Sequence, residues 1–237
     1  MRHTRRSAST LTALVLLVAT AGTACAQGQE KSHAVADGGI SVPGWQGTVD
    51  AREASRGSTI ANAKFATEGS GFHVTTGPAS TYWNPANVAS GDYTVKATFT
   101  EQKYMGLNDH PHPYGVFIAG NKMGTPDQSY LYCAAYGNGN FIVRGFGPQP
   151  FKMNGGGEPN AAVHKAAGQG SPVTQEIAMS VKGDDVTCSI NGTVVATYKK
   201  SDLVQSGKLT STDGVYGVRF AHNTEGTVTG LTMVKGK

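Results

Sequence analysis

Residues 92–100 read Asp-Tyr-Thr-Val-Lys-Ala-Thr-Phe-Thr, which sets Tyr93, Val95, Ala97 and Phe99 on one side and Thr94, Lys96, Thr98 and Thr100 on the other. Alternation of this length describes a strand with one dry and one wet face. Further strand-like runs cover 71–76, 80–83, 114–119, 130–136, 141–146, 176–181, 186–190, 193–198, 215–222 and 227–234. Turn residues separate them. Gly137-Asn138-Gly139-Asn140 joins one hairpin, Lys182-Gly183-Asp184-Asp185 a second, and Asn191-Gly192, a pair favoured in type I′ turns, a third. One stretch, 160–167, has helical composition and predicts one or two turns of helix. About a dozen short strands without alternating helices predict an all-β sandwich over 44–237. No repeat of 20 to 50 residues is visible, which excludes a propeller or solenoid.

The faces of these strands suggest where a ligand would sit. Leu131, Cys133 and Ala135 share the side expected to face the core, while Tyr130, Tyr132, Ala134 and Tyr136 share the other, with Ile142, Arg144 and Phe146 opposite them. In 215–222, Arg219 falls on the outward set. Tyrosines and arginines on an outer sheet face suit a sugar: rings pack on pyranose faces, and guanidinium groups give paired donors to hydroxyls or carboxylates. Ordinary strand-forming tyrosines would give the same pattern. The expected ligand residues are Tyr130, Tyr132, Arg144 and Arg219, with Trp83 before the Asn84-Pro85 break and His222 or Asn223 at the rim.

The N-terminus changes the charge picture. Residues 1–26 have the form of an export signal: Arg2, Arg5 and Arg6, an apolar run over 11–21, and Ala24-Cys25-Ala26 as a small-x-small cleavage site. Gly22-Thr23-Ala24-Cys25 also resembles a lipobox, which would make Cys25 a lipidation site. Residues 27–43 are polar and small, as a flexible tether would be. The whole chain of 237 residues has 20 basic and 16 acidic side chains; without the leader's three arginines the basic count falls to 17. No basic cluster interleaved with aromatics remains, so nucleic acid is not an expected partner. No apolar run long enough to span a bilayer follows the leader. The expected location is extracytoplasmic: secreted, periplasmic or lipid-anchored. There Cys133 and Cys188 are free to pair, and sequence leaves a bridge and two small core side chains equally open.

Catalytic signatures are sparse. Glycosidases flank the scissile bond with two carboxylates, and no strand here carries acids at alternate positions. Asp184 and Asp185 are neighbours in a turn, and Asp109 and Glu176 lack partners by spacing. There is no Gly-x-Ser-x-Gly. The most reactive segment is Asp109-His110-Pro111-His112. Asp109, His110 and His112 are the candidate acid–base residues. The expected cofactor is none, with a divalent metal on His-x-His left open, its third ligand coming from His222, His164 or His73.

The order of Tyr114–Gly120, Tyr130–Tyr136 with Gly-Asn-Gly-Asn, Phe141–Arg144, the strand-turn-strand ending in Asn191-Gly192, and Gly214–Phe220 resembles secreted concanavalin A-like jelly-roll domains. In particular it is similar to the bacterial 3-keto-disaccharide hydrolase domains. The resemblance spans about 44–237 and rests on strand and turn patterns. It implies a lectin- and glucanase-like sandwich, an extracytoplasmic location and a relation to glycans. Three functions follow as expectations: binding of carbohydrate or a cell-surface glycan, hydrolysis of a 3-keto-disaccharide, or non-catalytic protein contacts.

Overall fold

The computed structural model describes Met1 and residues 31–236. The expected export signal, Cys25 and residues 27–30 of the tether lie outside the described residues. Within Ser32–Lys237, a single compact unit, sixteen strands are described. In chain order they are β1 (Gly39–Ile40), β2 (Gln46–Val49), β3 (Ala63–Glu68), β4 (Gly71–Thr76), β5 (Ser80–Ala89), β6 (Tyr93–Glu101), β7 (Tyr114–Asn121) and β8 (Ser129–Ala135). There follow β9 (Asn140–Phe146), β10 (Pro150–Lys152), β11 (Glu158–Pro159), β12 (Val173–Lys182), β13 (Asp185–Ile190), β14 (Thr193–Lys199), β15 (Gly214–Phe220) and β16 (Glu225–Lys235). Two single-turn helices, α1 (Ala51–Ala54) and α2 (Lys200–Leu203), complete the secondary structure with a 3₁₀ turn at Ile60–Asn62. Among the described residues no helix is long and apolar enough to cross a membrane.

The strands form the expected two-sheet jelly-roll sandwich. One sheet runs β1-β3-β4-β16-β6-β12-β13-β14; the other runs β10-β9-β8-β7-β15-β5-β2, with β11 added on β9. All pairings are antiparallel except β1 with β3 at one edge. The alternation over 92–100 is realised in β6: Val95, Ala97 and Phe99 are buried and Lys96 is exposed. They meet Val116, Ile118, Leu131, Val218 and Phe220 of the facing sheet in one core. Burial of this apolar surface is the main stabilising term. Cys133 of β8 and Cys188 of β13 are joined by a disulfide, Cα to Cα 5.9 Å, that links the sheets across this core.

Three expectations change in detail. Residues 160–167 are not helical: Asn160 folds its side chain onto the Ala162 amide at 2.9 Å, and the Ala166 amide donates to the Gly137 carbonyl at 2.8 Å. Val163 is the anchor, buried in the core, and tertiary packing overrides the alanine-rich composition. The strand expected to end at Trp83 continues to Ala89. Its pairing with β15 jumps from Trp83↔Gly217 to Val88↔Val215, so Pro85 lies in the irregularity, where no ladder hydrogen bond is required of it. The described part of the expected tether is anchored. The His33 amide donates to Asn223 Oδ1 at 2.7 Å, β1 pairs with β3, and the Ser41 amide donates to the Phe65 carbonyl at 2.9 Å.

The Asn191-Gly192 turn has φ of 50° and 80°, as a type I′ turn requires. Asn191 also ties the 160s loop to the sheet, donating to the Ala162 carbonyl at 2.8 Å and to Gln175 Oε1 at 2.7 Å.

Candidate functional site

β7 and β8 are buried on both faces. Behind the main core, the outer face of their sheet carries a second apolar layer of Trp83, Phe117, Tyr130, Tyr132, Ala134 and Ile142. Gly217 makes this layer possible: a Cβ there would stand 2.8 Å from the Phe117 ring and 2.1 Å from the Tyr82 carbonyl oxygen. A sheet apolar on both faces needs cover on the second one, and what covers this one also shapes a site.

Arg219 projects from β15 onto that outer face. Its Nη1 donates to Asp50 Oδ1 at 2.7 Å, to Thr81 Oγ1 at 3.0 Å and to the Tyr130 hydroxyl at 3.1 Å; its Nη2 donates to Asp50 Oδ2 at 2.6 Å. The guanidinium lies 4.9 Å from the Tyr132 ring centroid and 4.9 Å from that of Phe146. The side chain is 8% exposed. Burial opposes its charge, but the Asp50 carboxylate together with Tyr130 and Tyr132 outweighs this and holds its pKa well above the ordinary value. Asp50 sits where β2 runs into α1, so this ion pair also fixes the start of that short helix.

Above this fixed layer lie two adjoining clefts of about 290 and 520 Å³, both lined by Asp50, Tyr132, Arg144 and Arg219. The first adds Tyr136, His110, His112 and His222; the second adds Phe146, Phe151 and Gln128. Arg144 of β9 stands directly opposite Tyr132 of β8 in the ladder. Its Nε is buried with no hydrogen-bond partner among the described residues. Burial raises the Tyr136 phenol pKa and the nearby Arg144 charge pulls it part of the way back. Asp50 is the one carboxylate among the described residues lining the two clefts, and Arg219 occupies it. A larger hollow of about 800 Å³ lies against the other sheet, lined by Thr, Ser and Lys182 with Asp92, Asp185, Val181 and the exposed Val194, but its one ring, Tyr93, is buried.

The candidate residues thus separate. Tyr132, Arg144, Arg219 and His222 come together at the clefts. Tyr130 is 0% exposed and serves as a support for Arg219. Trp83 is 3% exposed and lies against the turn at Gly124 rather than on a rim. Asn223 is fully buried; its Oδ1 accepts from the His33 amide and its carbonyl from Asn108 Nδ2 at 2.7 Å. The other metal-ligand candidates are remote in role: His73 contacts Glu225 at 3.0 Å, and His164 Nδ1 lies 2.8 Å from the Thr174 carbonyl. Asp50 was missed because the four-residue β2 carries no readable period. Tyr136 and Phe146 stood on the outward face, yet alternation alone does not tell which aromatic stays open to a cleft.

His110, His112 and His222 cluster at one end of the smaller cleft, their candidate ligand nitrogens all within 4.8 Å of one another. His112 Nδ1 lies 2.5 Å from the His222 carbonyl, and His110 Nδ1 lies 2.6 Å from Asp109 Oδ1. The two Nε2 atoms face each other at 2.8 Å. Burial, with the His222 and His110 charges, pushes the His112 pKa down to about 4, so its ring is neutral at neutral pH. The hydrogen bond from His110 holds the Asp109 carboxyl below its usual range.

No family model matches the chain, and no curated protein matches it. Solved structures do. The carbohydrate binding module CBM66 from Bacillus subtilis superposes with a TM-score of 0.54 at 11% identity, covering 84% of this chain and 99% of that one. A Bacillus subtilis protein of unknown function with a galectin-like fold gives a TM-score of 0.51 at 11% identity, over 81% of this chain and 89% of that one. At such identity the likeness establishes the fold: the chain shares the jelly-roll sandwich of these two structures.

Proposed function

We propose that the paired clefts over β8, β9 and β15 bind carbohydrate. The observation that carries this reading is Arg144: a half-buried guanidinium with an unpartnered Nε, beside Tyr132 and Tyr136 and above a floor locked by Arg219. A planar donor fork next to ring faces suits hydroxyl-rich ligands. The likeness over almost the whole of a structure named as a carbohydrate binding module agrees with it. Phe146, Tyr136 and Arg144 would meet the ligand, while Tyr130, Arg219 and Asp50 hold the floor. The disulfide supports placement outside the cytosol, secreted, periplasmic or lipid-anchored. A glycan array probed with the purified protein tests the reading. Retention of one glycan class by the wild type and its loss in Arg144→Ala are expected. Silence across all glycans would sink the reading and leave protein contacts as the role of this face.

A second reading, hydrolysis of a 3-keto-disaccharide, rests on the 2.6 Å Asp109–His110 contact beside the same cleft. Asp109 would orient His110 as a general base. Release of monosaccharide from a 3-keto-disaccharide, abolished in Asp109→Ala, is expected on this reading; no turnover with intact binding would eliminate it.

A further inference from the structure

We infer that His110, His112 and His222 form a binding site for one divalent transition-metal ion, zinc foremost, at the end of the smaller cleft. The inference rests on which nitrogen of each ring lies against an oxygen acceptor and which faces its neighbours. A backbone carbonyl only accepts, so His112 Nδ1, 2.5 Å from the His222 oxygen, is the protonated nitrogen and its Nε2 presents a lone pair. A carboxylate likewise only accepts, so His110 Nδ1 donates to Asp109, and its Nε2 is the nitrogen turned toward His112. The two Nε2 atoms face each other across 2.8 Å. Only a shared proton or a cation relieves that arrangement. His222 brings a third imidazole, its ring centroid 4.0 Å from that of His112 and its Nε2 buried.

The surroundings are those of a metal centre. Metal-ligating histidines give their second nitrogen to a carboxylate or a backbone carbonyl, which fixes tautomer and ring orientation. His110 has the first kind of partner and His112 the second. Nitrogens around a tetrahedral ion at about 2.0–2.1 Å stand roughly 3.3 Å apart, a spacing that falls between the 2.8 Å of the His110–His112 pair and the 4.8 Å that bounds the cluster. Three imidazoles select zinc, cobalt, nickel or copper over magnesium or calcium. They also leave a coordination position for water or a ligand oxygen. Because the three rings line the same cleft as Arg144 and Tyr132, that oxygen would belong to whatever the cleft holds. Pro111, between the first two ligands, and Pro113, just after the second, stiffen this loop.

The site is tested without any sugar, so its failure is separate from that of the glycan reading. The whole purified protein is stripped with a chelator, checked by circular dichroism, and titrated with Zn²⁺ by calorimetry and with Co²⁺ by visible absorption. One ion per chain is expected, with the intense d–d bands of four-coordinate Co²⁺. His110→Ala, exposed and safe for folding, should weaken binding at least tenfold, and so should His222→Ala. Asp109→Asn should weaken it about tenfold, because the ring's partner loses its negative charge. No stoichiometric binding, or binding unchanged in His110→Ala, would overturn the site and assign the His110–His112 contact to a shared proton.

Discussion

The Asp50 carboxylate grips the Arg219 guanidinium through two parallel hydrogen bonds of 2.7 and 2.6 Å, joining positions 169 residues apart. Arg219 is buried and Asp50 only 21% exposed, and a buried ion pair broken on one side leaves an uncompensated charge. Asp50→Ala should therefore lower unfolding free energy by about 3–5 kcal/mol, read from urea denaturation. It should also loosen Tyr132 and Phe146, which sandwich the guanidinium. Tyr130→Phe removes one donor–acceptor contact to the same charge and should cost about 1.5–3 kcal/mol.

Arg144 should behave in the opposite way. Among the described residues it makes no ion pair that its replacement would orphan, so Arg144→Ala should change stability by less than about 1 kcal/mol. Glycan affinity should fall at least tenfold. Arg144→Lys keeps the charge but loses the planar fork, and affinity should recover only in part. A calorimetric titration with an array-selected glycan separates these outcomes.

The Cys133–Cys188 bond closes a loop of 55 residues between the two sheets. Constraint of the unfolded chain by such a loop contributes about 2–4 kcal/mol. The Cys133→Ala, Cys188→Ala double variant should be less stable by that amount, and the wild type should lose the same on reduction. Equal midpoints with and without reductant would show that the bridge does not form in solution.

Glu101 gives the stability a pH dependence. It is 3% exposed, and burial raises its pKa to about 7 against an ordinary 4.5, the hydrogen bond from the Met105 amide pulling the other way. The fold binds this proton more tightly than the unfolded chain does. The stabilisation is therefore complete below about pH 4.5 and is lost as pH rises through about 7. The loss is on the order of 3 kcal/mol. Glu101→Gln should flatten this slope, measured as melting temperature from pH 5 to 8; an unchanged slope would show that other groups set it.

The strands were legible where one face is wet. β6, the β8–β9 hairpin and the β13–β14 hairpin follow from alternation and from Gly-Asn turns. β1, β2, β10 and β11, of two to four residues, are too short to show a period and form only because a neighbour offers an edge. The outward set on β8 was also readable. What alternation could not show is that this outer face is itself covered: Tyr130 and Tyr132 share a face, yet Tyr130 is walled in by Thr81 and Arg219 while Tyr132 borders both clefts. The partnership of His222 with His-x-His was one of three choices in sequence, and only the approach of β15 to the 109–113 loop selects it.

The most direct measurement of the central claim is a crystal structure of the protein with an array-selected glycan. A sugar ring lying against Tyr136 or Phe146, with a hydroxyl or carboxylate oxygen within hydrogen-bond distance of Arg144, is the predicted result. A sugar held on the other sheet, over Thr94, Ser180 and Thr187, with the Arg144 clefts empty, would contradict it.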